Sequence, residues 1–140
     1  MNKNEINNYI TLDNIKVWES FYDSDNNIVL YFTASWCGPC KKISPIFNDL
    51  ADKFHSIKFI KVDVDEMEEL AVTMGVSCMP TFLFLKNKKI QYTLEGCKEV
   101  KLRELVGMFN NSIYMKKEEQ IINSSEDLSK FKYNSSDDDL

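Results

Sequence analysis

The sequence predicts an α/β domain in which short strands alternate with amphipathic helices. The chain has 140 residues, which is within the usual size of one domain. Its hydrophobic share of 44% supplies enough apolar surface for a core. Runs of β-forming residues are separated by segments with apolar residues at three- and four-residue steps, which indicate helices. The resulting order is β α β α β α β β α, about five strands and four helices, and this alternation is typical of α/β domains.

The amino-terminal elements are a short strand, a helix and a buried strand. Residues 8–12 have β character, and Asp13 can cap the helix that follows. That helix has its apolar side chains on one face: Ile15, Trp18, Phe21 and Tyr22. Turn-forming residues 23–27 then lead to the run 28–32, which is apolar or aromatic throughout. A run without polar alternation predicts a strand that is buried on both faces.

The middle of the chain is predicted to contain two further helices with a strand between them. The first helix follows Cys40 and has one apolar stripe, composed of Ile43, Ile46, Phe47, Leu50, Ala51 and Phe54. Residues 57–64 are predicted to form the next strand because β-branched and aromatic residues recur there. Asp65 is a suitable N-cap for a helix from Glu66 to about Met74, and Gly75 is a suitable residue to end it.

A hairpin and a final helix are predicted to complete the domain. Residues 81–85 and 90–94 have strand character and flank Asn87-Lys88, so they predict an antiparallel hairpin. Residues 98–109 follow an amphipathic pattern with apolar side chains available for packing: Val100, Leu102, Leu105, Val106 and Phe109. We therefore place the domain at residues 1–109.

Residues 110–140 differ in composition from the domain. They contain four lysines against seven acidic residues, and their last part includes the run Ser135-Ser136-Asp137-Asp138-Asp139. We predict an acidic carboxyl-terminal extension that is partly helical or disordered. Residues 112–122 can form a helix, whereas the last several residues are expected to be solvated coil.

Charge and hydropathy exclude several classes of function. The net charge is -5, with 17 basic and 22 acidic side chains, which repels phosphate backbones and makes nucleic acid a poor partner. No stretch reaches the roughly 18 consecutive apolar residues that span a bilayer, so no membrane partner is expected. The first eight residues lack the apolar run of about 7 residues that a signal peptide needs. We expect a cytoplasmic, reducing location.

The four cysteines indicate chemistry rather than a disulfide scaffold. They are few and unevenly spaced, and Cys37 and Cys40 lie where the buried strand ends and a helix begins. The N-terminus of that helix stabilises a thiolate on Cys37. Cys37 can then attack a substrate disulfide, and Cys40, one turn into the helix, can resolve the mixed disulfide by attacking Cys37. This two-electron exchange needs no bound cofactor.

Half of a zinc or iron–sulfur site is the alternative use of two such cysteines. A complete site needs a second pair of cysteines or a cysteine with a nearby histidine. Cys78, Cys97 and His55 each stand alone in the sequence. We therefore expect no metal, and His55 receives no role.

Several motifs resemble the thioredoxin family over about residues 5–109. They occur in family order: Trp36-Cys37-Gly38-Pro39-Cys40-Lys41, Pro45, Lys61-Val62-Asp63-Val64-Asp65, Met79-Pro80-Thr81 and Gly96. The resemblance implies the thioredoxin fold, a central mixed β-sheet flanked by helices, with a cis peptide bond before Pro80. It also implies a substrate-binding surface composed of Trp36, Gly38, Pro39, Met79, Pro80 and Gly96.

The same resemblance implies a protein disulfide reductase that takes part in electron transport and cell redox homeostasis. The Gly38-Pro39 pair between the cysteines is similar to the reducing branch of the family. Disulfide-containing proteins are then the substrates, and a thioredoxin reductase supplies the electrons. The alternative is a docking subunit of a larger assembly, in which the fold serves only for binding and the extension makes the contact.

Two positions near the cysteine pair depart from the family pattern. Family members usually have a buried aspartate six residues before the first cysteine, where it helps to move a proton, and this chain has Tyr31. Lys61 then lacks its usual carboxylate partner. Tyr31 can support proton transfer through its hydroxyl or an ordered water, or it can fill the core. Thr33 stands where the family tends to have a large aromatic residue.

The remaining cysteines are candidates for regulation. Cys78 lies two residues before Pro80, where some eukaryotic thioredoxins also have a cysteine. It can form an intermolecular disulfide or a glutathione adduct, or it can be a small, semi-buried hydrophobic residue. We expect a monomer that can form a disulfide dimer through Cys78. Cys97 follows Gly96, has no role implied by the resemblance, and stays open between a reactive and an inert thiol.

Overall fold

A computed structural model describes residues 8–24 and 26–122 of the chain, with side chains described as far as residue 113. The described elements follow the predicted order: β1 (Tyr9–Leu12), α1 (Ile15–Asp23), β2 (Asn27–Thr33), α2 (Gly38–Lys53), β3 (Lys58–Asp63), α3 (Glu68–Thr73), β4 (Thr81–Lys86), β5 (Lys89–Glu95) and α4 (Glu99–Ile122). The chain divides into two compact units, Met1–Gly107 and Met108–Leu140. Helix α4 passes the boundary predicted after residue 109 without a break.

The sheet is mixed, with the strand order β1-β3-β2-β4-β5. Strands β1 and β2 run parallel to β3, whereas β4 is antiparallel to both β2 and β5. Strand β2 is central, and Leu30 pairs with Ile60 of β3 and Leu83 of β4. Every residue of β2 from Ile28 to Thr33 is buried, which confirms the strand that the unbroken apolar run predicted.

Two apolar layers cover the faces of the sheet. On one face, Leu30 and Phe32 of β2 belong to a cluster that includes Trp18 of α1 and Leu70 of α3. The next side chain along β2, Tyr31, points to the other face because side chains alternate along a strand. There an aromatic group holds α2 against the sheet: Tyr9, Tyr31, Phe47, Phe59 and Phe82. These ring contacts therefore fix α2 on this face of the sheet.

The beginnings of two helices differ from the sequence prediction. Asn14, rather than Asp13, caps α1, and its side-chain oxygen accepts hydrogen bonds from the N–H groups of Lys16 and Val17. The predicted cap Asp65 lies outside α3, which begins at Glu68. The chain first makes a tight turn in which the carbonyl of Asp63 accepts the N–H groups of residues 66 and 67. Residues 66 and 67, which were predicted to begin the helix, therefore lie in this turn.

The predicted end of α3 and the predicted turn of the β4–β5 hairpin are confirmed. Gly75 has φ 76°, and its N–H and that of Val76 donate back to the carbonyls of Val72 and Ala71. This pairing satisfies carbonyls at the end of the helix and favours glycine. In the hairpin turn, Asn87 and Lys88 have φ 53° and 67°. A two-residue turn with both φ angles positive matches the twist of the two strands.

Helix α4 continues through the segment 112–122 that was predicted to be able to form a helix, and one of its predicted core residues is exposed. It runs from Glu99 to Ile122, whereas the amphipathic pattern ended at Phe109. Leu102, Leu105, Val106 and Phe109 are buried, but Val100 is 73% exposed because it lies on the outer face of the first turn. Ile15 of α1 is likewise exposed rather than packed. The predicted coil at the end of the extension lies outside the described residues. Within the described part of the chain, no helix combines the length and apolar character needed to span a bilayer.

Candidate active site

The cysteine pair lies at the junction between β2 and α2. Cys37 is the N-cap of α2, and the N–H of Cys40 donates to Cys37 Sγ over 3.2 Å. Cys37 and Cys40 are joined by a disulfide, with their Cα atoms 5.3 Å apart. Pro39 in the first turn is compatible with the helix because the first N–H groups have no partner within it. The two-residue spacing therefore closes a small redox-active ring at a helix N-terminus.

Apolar side chains surround the disulfide. Cys37 and Cys40 are 4% and 2% exposed and pack with Ala34, against which the half-buried Val64 and Met79 also lie. Exposure therefore does not distinguish the two sulfurs. The backbone donor does, because an N–H aimed at Cys37 Sγ stabilises negative charge there. This geometry favours a thiolate on Cys37 in the reduced protein.

The loop after α3 packs against the disulfide through Met79 and contacts the loop after β5. The Met79–Pro80 peptide bond is cis, as the resemblance implied. The N–H of Gly96 donates to the carbonyl of Pro80 over 2.8 Å. Gly96 has φ 101°, a conformation that residues with a Cβ rarely adopt. Pro80 itself is buried, whereas Met79 and Gly96 are half-buried.

Trp36 is held at the surface by an acidic residue that the sequence prediction assigned to another role. Its side chain is 64% exposed, and its indole Nε1–H donates to Asp65 Oδ2 over 2.9 Å. The N–H of Asp65 in turn donates to Asp63 Oδ1 over 2.8 Å. Strands β2 and β3 bring the two loops together, since the N–H of Val64 donates to the carbonyl of Thr33. Neighbouring parallel strands that end at one edge are the signal that could have indicated this contact.

The Tyr31 hydroxyl is directly connected to the helix that bears Cys40. Its O–H donates to the Cys40 carbonyl over 3.0 Å, and its oxygen lies 2.7 Å from Ser44 Oγ. The ring is fully buried and stacks on Phe82 with centroids 4.8 Å apart. Tyr31 therefore fills the core, as one of the two alternatives predicted, and its predicted support of proton transfer stays a prediction. Ser44 was not singled out in the sequence, because its partner lies 13 positions away on β2.

Lys61 contacts an aromatic ring rather than a carboxylate. It pairs with Tyr31 in the β2–β3 ladder, but its ammonium lies 5.6 Å from the ring centroid of Tyr9. That position permits a cation–π contact. Neither of these contacts involves a cysteine, so the assistance of Lys61 to the cysteine pair stays a prediction.

Cys78 and Cys97 are both exposed, free cysteines. Cys78 Sγ lies 3.8 Å from the hydroxyl of Thr81, which donates to the Cys78 carbonyl over 2.6 Å. Because Cys78 is exposed, the alternative prediction of a semi-buried residue is wrong. Among the described residues, no group of three or more His, Cys, Asp or Glu side chains could hold a metal ion.

We expect the stability of the protein to fall above about pH 10 because of buried tyrosines. Burial raises the pKa of Tyr31, against smaller opposing effects of the Ser44 and Thr33 hydroxyls, and burial also raises that of Tyr92. The folded state therefore holds these protons more tightly than the unfolded chain does. That stability is fully present below the unfolded-state pKa and is lost as the pH rises through the folded-state values. Urea titrations from pH 7 to 11 should show a smaller fall in Tyr31→Phe than in wild type, and equal falls would contradict this explanation.

Comparison with known proteins places this geometry in a family. The family model described as Thioredoxin matches residues 9–108. A thioredoxin from Gallus gallus is 46% identical over 79 residues, which are 56% of this chain and 75% of that protein. Thioredoxin-1 from Caenorhabditis elegans is 51% identical over 79 residues, covering 56% of this chain and 69% of that protein.

Solved structures agree with the sequence comparisons. A crystal structure of a thioredoxin from Nicotiana alata superposes with a TM-score of 0.72 at 33% identity, covering 78% of this chain and 98% of that one. The structure of Fasciola hepatica thioredoxin has a TM-score of 0.68 at 37% identity, covering 71% of this chain and 98% of that one. With a matching family model over most of its length and a disulfide between Cys37 and Cys40, the chain belongs to the thioredoxin family and is a thiol-disulfide oxidoreductase.

Proposed function

We propose that the chain is a reductase of protein disulfides in which Cys37 attacks and Cys40 resolves. The observation that supports this division is the hydrogen bond from the Cys40 N–H to Cys37 Sγ at the N-terminus of α2. In the reduced protein the same donor and the helix dipole favour a thiolate on Cys37. The more nucleophilic sulfur is then the one at the edge of the helix.

The reaction consists of two exchanges. The Cys37 thiolate attacks one sulfur of the substrate, forming a bond to it while the substrate disulfide breaks and its other sulfur leaves with the electron pair. Cys40 then attacks Cys37, the Cys37–Cys40 bond forms, and the second substrate sulfur leaves. The substrate gains two electrons and the chain loses two. These steps use thiols alone, so we propose no cofactor.

We propose that the substrate binds across the surface that surrounds the disulfide. Trp36, Gly38 and Pro39 are exposed beside Cys37 in the sequence, Met79 packs against the disulfide, and the N–H of Gly96 donates to the carbonyl of Pro80. The backbone of Met79 can pair with an extended substrate segment as a short added strand, anchored by Pro80 behind it. Main-chain pairing of this type accepts many sequences, which suits a reductase of varied proteins.

We further propose that a thioredoxin reductase regenerates the dithiol, so that the chain acts in electron transport and redox homeostasis in the cytoplasm. The relatives that support this bear the name thioredoxin. The chain would act as a monomer in its reduced state. Exposed Cys78 is available for a disulfide dimer under oxidising conditions. Residues 110–140 would form the acidic extension of a domain at 1–109.

Insulin reduction tests the proposed function. We expect the full chain to accelerate insulin reduction by dithiothreitol, and also to support it with a thioredoxin reductase and NADPH. A Cys37→Ser/Cys40→Ser variant serves as the control and should match the rate without protein. Absence of acceleration with either reductant would contradict a reductase and favour the docking subunit.

Loss of the Asp65 carboxylate should weaken substrate binding. The hydrogen bond to Asp65 fixes Trp36, an exposed side chain of the proposed substrate surface. A hydrogen bond to a charged group contributes about 1.5 to 3 kcal/mol when it is shielded from water, and less at a surface. We expect Asp65→Ala to raise the KM for insulin about two- to fivefold with little change in kcat. The exposed neighbour Glu66→Gln is the matched control. An equal rise in KM in both variants would show that the loss of charge, rather than the contact with Trp36, is responsible.

A further inference from the structure

A buried pair of hydroxyls connects the central strand to the resolving cysteine. Tyr31 lies on β2 and is fully buried. Its ring stacks on Phe82 of β4 and also packs against Phe47, with centroids 4.8 Å away in each case. The position of the hydroxyl is therefore set by the sheet. From there it reaches the Cys40 carbonyl and Ser44 Oγ, which lie one helical turn apart on α2.

The hydrogen bonds of this pair have one direction. A carbonyl oxygen only accepts, so the Tyr31 O–H must donate to Cys40. The proton of that hydroxyl is then in use, and Ser44 must donate its own proton to the Tyr31 oxygen. The chain of donors runs from Ser44 to Tyr31 to Cys40. Neither hydroxyl has a free proton directed at a sulfur.

The contact lies where the helix is locally weakened. Pro45 is within α2 and has no N–H to offer the carbonyl of Lys41, one turn before it. The Lys41 carbonyl, adjacent to Cys40 in the helix, therefore lacks its helical donor. The Tyr31 hydroxyl, held on the sheet, donates to the Cys40 carbonyl and so restrains this turn of α2. The orientation of the Cys40 peptide then depends on the rigid strand as well as on the helix.

We propose that Ser44 and Tyr31 are positioning residues that hold the Cys40 backbone for the resolving attack on Cys37. This inference rests on the proposed function, because it concerns the second of the two exchanges. In that step the Cys37–Cys40 bond forms, the bond between Cys37 and the substrate breaks, and the proton lost by Cys40 leaves on the substrate sulfur. Tyr31 and Ser44 keep their protons throughout. Their contribution is the alignment of the two sulfurs, and small misplacements of reacting atoms are costly in rate.

Single-turnover kinetics can separate the two steps. The reduced full chain is mixed with a peptide disulfide, quenched with acid, and the mixed disulfide on Cys37 is counted by mass spectrometry. We expect Tyr31→Phe to slow resolution about five- to tenfold, and Ser44→Ala about two- to fivefold, while the attack by Cys37 keeps its wild-type rate. The mixed disulfide should therefore accumulate in both variants. Ser44→Thr keeps the hydroxyl and should restore the wild-type rate.

Matched controls distinguish positioning from a general loss of structure. Tyr22→Phe also removes a hydroxyl that donates to a backbone carbonyl, that of Lys88, over 3.4 Å. Ser20→Ala removes a serine hydroxyl from another helix. Both should show wild-type kinetics in both steps. If Tyr31→Phe does not fold, the comparison of Ser44→Ala with Ser44→Thr still decides the matter.

Three results from the rates, and a fourth from their pH dependence, would overturn the proposal. They are unchanged resolution in Tyr31→Phe and Ser44→Ala, equal slowing of both steps, and failure of Ser44→Thr to recover the rate. A change in the shape of the pH–rate profile of resolution in Tyr31→Phe would also overturn it, because it would show that the hydroxyl transfers a proton. Failure of the proposed function looks different, since Cys37 and Cys40 of wild type would then remain thiols and the peptide disulfide would remain oxidised.

Discussion

We expect Cys37→Ser to abolish insulin reduction and Cys40→Ser to trap the substrate as a mixed disulfide on Cys37. Cys37 receives the N–H of Cys40 at the helix N-terminus, so its thiolate begins the exchange. Without Cys40 no sulfur lies one turn away to release the substrate. The two variants should therefore fail at different steps although both lack turnover.

Mass spectrometry of acid-quenched reactions measures the trapped species. Cys78 and Cys97 are exposed and can form adducts of their own, so both should be changed to serine in every variant compared. With that background, Cys40→Ser should yield close to one substrate adduct per chain and Cys37→Ser should yield none. Equal amounts of adduct from the two variants would contradict the assignment of attacking and resolving roles.

Tyr31→Asp should produce a large loss of stability. The substitution removes a ring that stacks on Phe82 and packs against Phe47, and loss of a buried aromatic side chain costs about 3 to 5 kcal/mol. It also introduces a carboxyl group into a site with full burial, which adds a desolvation cost unless the group is protonated or paired. We expect the free energy of unfolding to fall by at least about 3 kcal/mol.

Urea titration at pH 7 measures this loss, and Tyr31→Phe is the matched control. Phenylalanine keeps the ring but leaves the Cys40 carbonyl and Ser44 without the hydroxyl, for which we expect a loss of about 1 to 2 kcal/mol. If Tyr31→Asp and Tyr31→Phe lose nearly the same free energy of unfolding, water reaches this site. The aromatic packing around Tyr31 would then be looser than its burial indicates.

Much of the fold could be predicted because it follows from local patterns. The unbroken run 28–32 indicated a strand buried on both faces, and β2 is that strand. The position of the cysteine pair between this strand and the next amphipathic stripe placed it at a helix N-terminus. These are consequences of side-chain period and of the residue types that begin helices, which a single sequence shows directly.

The errors arose where neighbouring residues compete for the same role. Asp13 and Asn14 are both good N-caps, and the backbone places Asn14 at the boundary. Asp65 also suits a cap, but its carboxylate accepts the Trp36 indole N–H instead. Local propensity does not decide between such alternatives.

Contacts across the fold account for what the sequence could not show. The pairing of Tyr31 with Ser44 depends on how α2 is placed over β2, and the two residues are 13 positions apart. Tyr31 can be identified from the sequence because it stands where the family has an aspartate. Ser44 has no such distinguishing feature. Lys61 was expected to act near the cysteines, and only the structure shows its ammonium over the ring of Tyr9.

Disulfide mapping after a single turnover tests the central claim most directly. The fully reduced chain is mixed with one equivalent of an oxidised protein substrate, quenched with acid and alkylated, and its disulfides are assigned by peptide mass spectrometry. We predict one new disulfide per chain, between Cys37 and Cys40, together with two new thiols on the substrate and free Cys78 and Cys97. Substrate reduction that leaves Cys37 and Cys40 as thiols, or that places the new disulfide on Cys78 or Cys97, would contradict the account.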